Sequence, residues 1–173
     1  EFKAQRILKE VETKCDWIYE TWHPHCDDPH RVIGKINYTV WSDVFICPQC
    51  SSEMVFWDVA LDHETSQVND EWNCPHCYAR LSKSPKKDSP TQRVERAFEA
   101  GFDRALVKYV RRAKLVPVLV NYSVGINRYE KLPDANDYAL IARIRDSDVP
   151  YPFPTNPISK GDKTSDPFNV GIT

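Results

Sequence analysis

Two cysteine pairs constrain this chain more than any other feature of its sequence. Residues 47–50 read Cys-Pro-Gln-Cys and residues 74–77 read Cys-Pro-His-Cys, with 23 residues between the pairs. A structural zinc site needs four thiolates at about 2.3 Å from the metal, and each short turn supplies two of them. The pattern therefore predicts a zinc site whose ligands are Cys47, Cys50, Cys74 and Cys77.

Other chemistries fit these cysteines less well. Two disulfides require an oxidising compartment, which nothing in the chain indicates. A redox-active pair does not need a second, similar pair at this spacing. Covalent haem attachment requires His after the second cysteine, where Ser51 and Tyr78 stand. Four thiolates fill the coordination shell of zinc and leave no position for water, so the predicted metal is structural and not catalytic.

A second group of possible ligands lies nearer the N-terminus. Cys15, His23, Cys26 and His30 could form another metal site, but their spacing matches no common zinc pattern. A polar loop that is interrupted by prolines and carries surface histidines is the favoured interpretation of this segment. Both interpretations stay open at the level of sequence.

Hydropathy and turn signals divide the chain into five segments and predict an α+β fold. The central element of this prediction is a zinc ribbon built of β-hairpins with two CPxC knuckles. A small β-rich unit with flanking helices follows the ribbon. The segments are an N-terminal helix and His-rich loop (1–34), the ribbon (35–81), a linker (82–92), a basic β-rich unit with a hairpin and a helix (93–148) and an extended Pro-rich tail (149–173).

Several local predictions can be tested against the structure. Residues 3–20 have the periodicity of an amphipathic helix that packs by one face. Strands are predicted over 35–46, 53–62 and 67–72, and a hairpin turn over 124–127. Residues 93–106 have helical propensity, which Gly101 weakens. Pro117 indicates an edge strand. A helix is predicted after Pro133, with Asp134 as its cap and Tyr138, Leu140, Ile141 and Ile144 facing inward.

Charge is distributed unevenly along the chain. The net charge is −2, from 23 basic and 25 acidic residues, so the chain as a whole is not an electrostatic nucleic-acid binder. Residues 1–79 hold 6 basic and 14 acidic residues, whereas residues 80–114 hold 11 and 4. The candidate DNA-binding residues of this basic block are Arg93, Arg96, Arg104, Lys108, Arg111, Arg112 and Lys114.

Aromatic residues are interleaved with this block, which suits contact with nucleic acid. Phe98 and Tyr109 could stack or pack between the cations. The alternative is a solvated face that pairs with the acidic first half of the same chain. The sequence favours neither interpretation over the other.

The chain lacks the motifs of several common enzyme and membrane classes. Its 5 glycines form neither a dinucleotide loop nor a phosphate-binding loop, and there is no GxSxG or HExxH motif. No run approaches the ~20 apolar residues of a membrane span, so no membrane partner is expected. Without an initiator Met or a signal segment, the chain is expected to be a piece of a larger, cytoplasmic protein.

Several stretches together resemble a known family. Residues 39–50 (TVWSDVFICPQC), 55–58 (VFWD), the second cysteine pair, 116–124 (VPVLVNYSV) and 129–131 (YEK) look like the zinc-ribbon insertion of bacterial and archaeal site-specific DNA methyltransferases. Those enzymes methylate the exocyclic amine of adenine (N6) or cytosine (N4). The resemblance covers nearly the whole chain, but the His-rich loop departs from it.

The resemblance implies a role within a larger enzyme. In such methylases an S-adenosylmethionine loop and an (Asp/Asn)-Pro-Pro-(Tyr/Phe) loop carry the chemistry, and neither occurs here, since residues 166–169 lack the second proline. Only the four zinc ligands carry over. The implied parent is an S-adenosylmethionine-dependent DNA methyltransferase of the restriction-modification type, and this segment would bind DNA and the parent's remaining domains without catalysing the reaction itself.

Two other functions remain open. A structural or protein-interaction zinc ribbon without DNA contact would be favoured if the five tryptophans, Trp17, Trp22, Trp41, Trp57 and Trp72, lay exposed beside one another. A free-standing ribbon of the transcription type is the third interpretation.

Overall fold

A computed structural model describes residues 2–23, 32–104 and 106–148. These residues form a mixed α+β fold with many short strands and few helices, which confirms the predicted class. Most of the His-rich loop, with Cys26 and His30, and the Pro-rich tail lie outside the described residues.

The elements follow one another in a simple order. The helices are α1 (Phe2–Cys15), a 3₁₀ turn (Asp16–Tyr19), α2 (Phe56–Ala60) and α3 (Ala135–Asp146). The strands are β1 (Glu20–Trp22), β2 (Ile33–Ile46), β3 (Glu53–Val55), β4 (Leu61–Asp62), β5 (Gln67–Val68), β6 (Glu71–Asn73), β7 (Arg80–Ser82), β8 (Gln92–Arg93), β9 (Glu95–Arg96), β10 (Phe98–Asp103), β11 (Lys108–Ala113), β12 (Leu115–Val124) and β13 (Asn127–Lys131).

The chain divides into two compact units. Among the described residues, the first unit takes those up to Trp41 and Pro117–Ser147, and the second takes Ser42–Val116 together with Asp148. Strands β2 and β12 each begin in one unit and end in the other. Each unit is therefore formed by stretches of chain that are separated in the sequence, and the division into five consecutive segments stays a prediction.

The first unit is built on a sheet in the order β1-β2-β12-β13. Val118, Val120 and Tyr122 of β12 are buried in it. Gly34 of β2 lies directly against the Tyr122 ring, where an added Cβ would collide with the ring carbons. The hairpin of β12 and β13 turns through Gly125 (φ 61°), which confirms the predicted turn.

Helix α3 is attached to this sheet through a buried polar network. The Asp134 side chain caps the helix by accepting from the backbone N–H groups of Asn136 and Asp137, as predicted. The Lys131 ammonium lies 2.6 Å from the Asp134 carboxylate and 2.8 Å from that of Asp137, which also accepts from the Thr21 hydroxyl at 2.5 Å. Burial alone would lower the pKa of Lys131, but these carboxylates outweigh it and raise that pKa.

The second unit has an apolar core around the cysteine turns. Phe45, Phe56 and Trp72 form edge-on and tilted contacts, with ring centroids 5.3 to 6.4 Å apart. Cys47 and Cys74 belong to the same buried cluster. Its strands β3 to β9 have only two or three residues each, so few backbone ladder bonds stabilise this core.

Two predicted elements of the second unit were wrong. The strand over 53–62 stops at Val55 and becomes helix α2, whose residues Phe56 and Val59 pack against the core. The helical propensity of residues 93–106 is overridden, because Ala97 donates to the Val44 carbonyl and β10 pairs with β11.

Three predictions about the first unit also need correction. No residue of α1 is buried, so the predicted packing of one helix face does not occur within the described chain. Strand β12 lies inside the sheet and is not an edge strand; Pro117 is tolerated because pairing with β13 begins only at Val120. On α3 the buried residue is Asp137, whereas Tyr138 and Ile144 are exposed.

Candidate metal centre

The two cysteine turns have the same backbone structure. In the first turn Ser51 donates its N–H to the Cys47 carbonyl at 2.9 Å, and Cys47 donates to Ser52 at 2.9 Å. In the second, Tyr78 donates to Cys74 at 3.0 Å, and Cys74 donates to Ala79 at 2.9 Å. Each pair of bonds points two thiols from one tight turn in a common direction.

Each turn contains a residue in the left-handed region directly after its second cysteine. Ser51 has φ 59° and Tyr78 has φ 61°. A side chain in this region costs roughly 1 kcal/mol or more relative to glycine. The same strained position recurs in both turns because the chain must reverse there to bring its cysteines inward.

The four thiols converge on one point. All four Sγ atoms lie within 4.8 Å of one another. Cys47 and Cys77 are 3.6 Å apart, and Cys50 and Cys74 are 3.7 Å apart. Sulfurs at about 2.3 Å from a tetrahedral zinc would be about 3.8 Å apart, whereas a disulfide requires about 2.05 Å. The donor set and its spacing therefore fit zinc, and the described cysteines form no disulfide.

The four thiols differ in burial and in hydrogen bonding. Cys47 and Cys74 are fully buried, whereas Cys50 and Cys77 are partly exposed. Hydrogen bonds from Ser52 lower the pKa of Cys50 to about 6. The backbone N–H of Ala79 lowers the pKa of Cys77, but burial and the neighbouring sulfurs outweigh it and raise that pKa to about 12. A cation in the centre would replace the protons that these clustered thiols otherwise hold.

The arrangement is that of a closed metal site. Four protein thiols leave no coordination position for a substrate or water, so zinc here would stabilise the fold. Within the ranges that the structure describes, this is the one group of potential ligands that comes together. Of the second predicted set, His23 instead contacts the Tyr122 hydroxyl at 2.8 Å, and Cys26 and His30 lie outside the described residues.

Four of the seven candidate DNA-binding residues are paired with carboxylates. Arg96 contacts Asp43 at 3.0 Å, Lys114 contacts Glu53 at 2.5 Å, Arg112 contacts Glu99 at 3.0 Å and Arg104 contacts Asp148 at 3.3 Å. Two of these carboxylates, Asp43 and Glu53, come from the acidic first half of the chain. The pairing that the sequence offered as an alternative to DNA contact therefore exists for part of the block.

The remaining cations of the block are differently placed. Lys108 lies opposite Asp103 in the β10–β11 ladder. Arg93 and Arg111 have no carboxylate partner among the residues that the structure describes. Arg111 instead places its guanidinium carbon 4.2 Å from the centre of the Phe98 ring. These two arginines are the members of the predicted set whose charge no described carboxylate neutralises.

The five tryptophans do not form an exposed cluster. Trp72 is buried, Trp41 is exposed, and the other three are half-buried. The Arg143 guanidinium covers the Trp17 ring at 3.9 Å, and His63 lies edge-on to Trp57. The condition that would favour a protein interface through these indoles is therefore not met.

Sequence reasoning missed some residues that shape this region. Lys83 places its ammonium 3.4 Å from the centre of the Phe56 ring, and burial lowers its pKa. Ser52 was missed as the partner of Cys50, although it follows the first cysteine turn directly. A small hydroxyl residue beside a CPxC pair is the signal that could have indicated it.

Comparisons with known proteins give no relative for this chain, since no family model, curated protein or solved structure matches it. The resemblance to DNA methyltransferases therefore stays a hypothesis from the sequence. In residues 2–23, 32–104 and 106–148, no helix has both the length and the apolar composition needed to cross a membrane.

Proposed function

We propose that this chain is a zinc ribbon whose metal is structural. The observation that carries this proposal is the convergence of Cys47, Cys50, Cys74 and Cys77 from two matching turns. When bound, zinc would join the turn after β2 to the turn after β6. The short strands around these two turns do little to hold the turns together. The residues that would hold it are the four cysteines, with Ser52 favouring the thiolate of Cys50.

X-ray absorption at the zinc edge tests this assignment. We expect four sulfur neighbours at about 2.3 Å in protein purified without added metal. A nitrogen-containing shell would mean that a histidine has replaced a cysteine as ligand. That result, or protein that takes up no zinc, would contradict the four-thiolate site.

The wider role that we propose is a DNA-contacting segment of an S-adenosylmethionine-dependent DNA amino-methyltransferase. Its support is the resemblance of residues 39–50 and 116–124 to the zinc-ribbon insertion of such enzymes. A second support is that Arg93 and Arg111 have no carboxylate partner among the described residues, which leaves their charge available to phosphates. The parent would supply S-adenosylmethionine and the catalytic loop, and this segment would hold DNA.

Titration with labelled duplex DNA at about 50 and 200 mM salt tests the DNA contact. Binding should weaken steeply with salt. Replacing Arg93 and Arg111 together with Gln should weaken it more than replacing Arg96 and Lys114, whose charges are already neutralised. Absence of binding at the lower salt would contradict the proposal. The methyltransferase link is tested separately by the flanking coding sequence, which should encode the two catalytic motifs.

A protein-interaction ribbon without DNA contact is the second candidate, and one observation favours it. Helix α1 presents Ile7, Leu8 and Val11 to solvent, each at least half exposed. An amphipathic helix with its apolar side uncovered is typical of a segment that packs against another protein surface. If the DNA titration fails, a Leu8→Glu variant that loses association with the parent's other domains would support this candidate.

A further inference from the structure

The β10–β11 hairpin sorts its side chains by chemistry. Because residues that pair across an antiparallel ladder point to the same side, the register divides the hairpin into two faces. The charged face consists of Glu99, Gly101, Asp103, Lys108, Val110 and Arg112. The aromatic face consists of Phe98, Ala100, Phe102, Tyr109, Arg111 and Ala113. The hairpin forms a separate two-stranded sheet.

The charged face neutralises itself. Arg112 contacts Glu99 at 3.0 Å, and Lys108 stands opposite Asp103 in the register. Asp103 also accepts from the backbone N–H of Leu106 at 3.0 Å, which shapes the tip. This face has no net charge to offer a ligand.

The aromatic face has the opposite character. Tyr109 is 80% exposed, and its ring meets Phe102, which is 49% exposed, edge-on at 5.4 Å. Arg111 is stacked on Phe98 at 4.2 Å and has no carboxylate partner among the described residues. Three large rings and one planar cation therefore share one side of the hairpin, where Phe98 is 39% exposed and the other two rings are more exposed. Contiguous exposed aromatics of this kind mark binding surfaces.

We propose that the aromatic face of the β10–β11 hairpin binds single-stranded DNA, with bases stacked on Phe102 and Tyr109 and a phosphate held by Arg111. Every base has a π face that can stack on an aromatic side chain, and a stacked guanidinium adds a planar cation that donates to phosphate oxygens. The one charge on this face is positive and uncompensated, which complements a phosphate backbone better than an apolar protein surface. This inference rests on the proposed DNA contact and specifies which strand state is bound.

The neighbouring arginines provide a matched control. Arg111 and Arg112 are adjacent and carry the same charge, but the pleat places them on opposite faces. Replacement of either by Gln removes one positive charge. Replacement of Arg112 also removes the ion-pair partner of Glu99, whose carboxylate would then repel DNA. The Arg112 variant therefore loses more DNA affinity than removal of one positive charge alone would cause.

Fluorescence anisotropy of the zinc-loaded chain with labelled 12-nucleotide single strands and the matching duplex tests the proposal. We expect the single strand to bind at least about tenfold more tightly than the duplex, because only unpaired bases can stack on the rings. Tyr109→Leu should weaken single-strand binding about tenfold. Arg111→Gln should weaken it about fivefold, whereas Arg112→Gln should change it less than twofold. Zinc content and circular dichroism confirm that each variant is folded.

The outcomes separate this inference from the proposal on which it rests. If single strand and duplex bind equally well, with a steep salt dependence, and single-strand binding is equal in all hairpin variants, the DNA contact stands but the aromatic face is overturned as its site. Equal losses in the two arginine variants would also overturn it, since charge alone would then explain binding. If neither strand form binds at about 50 mM salt, both fail, and the aromatic face would suit a protein partner instead.

Discussion

The two compact units bury different chemistry in their interiors. The second unit surrounds two fully buried cysteines with aromatic rings, and its strands β3 to β9 have two or three residues each. The first unit has longer strands, a capped helix and a buried ion pair between Lys131 and Asp137. Short elements cannot supply enough ladder bonds or apolar area by themselves. If zinc binds the four cysteines as proposed, we expect the core of the second unit to depend on it, whereas the first unit has ordinary packing and one polar network.

The largest effect is expected from loss of a metal ligand. Cys74→Ser removes one thiolate from the cluster, and structural zinc supplies about 10–16 kcal/mol in small zinc domains. We expect hydrogen exchange to show loss of amide protection in residues 42–116. Cys15→Ser is the control, because Cys15 lies on α1 and outside the cluster. Full protection and full zinc content in Cys74→Ser would show that the second unit does not depend on this ligand.

Removal of the buried cation should be the largest effect in the first unit. Lys131→Met leaves the carboxylate of Asp137, which is 4% exposed, without its charge partner. Such a change costs roughly 3–5 kcal/mol. The control is Lys35→Met, whose ion pair with Asp16 is exposed on both sides and should contribute under about 1 kcal/mol. Urea denaturation, monitored through signals from α3, measures the free energy of unfolding of both variants. Equal losses of stability would contradict the distinction between the buried and the exposed ion pair.

A smaller effect is expected where the sheet of the first unit has no spare volume. Gly34→Ala places a Cβ against the buried Tyr122 ring and 3.3 Å from the Ser123 carbonyl oxygen, so the sheet must shift. Overpacking of this kind costs about 1–3 kcal/mol. In Gly101→Ala the nearest atom is the Arg112 guanidinium at 3.7 Å, so stability should not fall. The difference in melting temperature between the two variants tests the tight packing at Gly34.

The smallest effect is a gain of stability at the second cysteine turn. Tyr78 is exposed and has φ 61°, so Tyr78→Gly should relieve strain and stabilise the second unit by roughly 0.5–1 kcal/mol. Tyr78→Ala keeps a Cβ at the same position and should give no gain. The melting temperatures of the zinc-loaded variants test this prediction. A loss of stability in Tyr78→Gly would mean that the Tyr78 side chain contributes more stability than its backbone strain costs.

The sequence predicted features that depend on neighbouring residues. The cysteine cluster, the Gly125 turn and the Asp134 cap each follow from a few adjacent positions, and all three are present. Features that depend on distant strands were missed. The helical propensity of residues 93–106 lost to pairing with β2 and β11, and α2 replaced a strand because Phe56 and Val59 reach the core together.

The electrostatics could not be predicted for the same reason. The sequence showed a basic block, but which cations are neutralised depends on the strands that bring Asp43 to Arg96 and Glu53 to Lys114. The buried pair of Lys131 and Asp137 is equally invisible, since a lysine in a strand and an aspartate in a helix are usually exposed. The charge that remains for a ligand, on Arg93 and Arg111, emerges only after this pairing.

Measurement of zinc and thiols on the same sample tests most directly whether one metal holds the second unit together. The folded chain is treated with a thiol reagent, then with a strong chelator, while released zinc and newly reactive thiols are counted. We expect one zinc per chain, released together with four thiols, and loss of the second unit's folded structure. A chain without zinc, or one that keeps the same melting curve after chelation, would contradict a structural zinc site at Cys47, Cys50, Cys74 and Cys77.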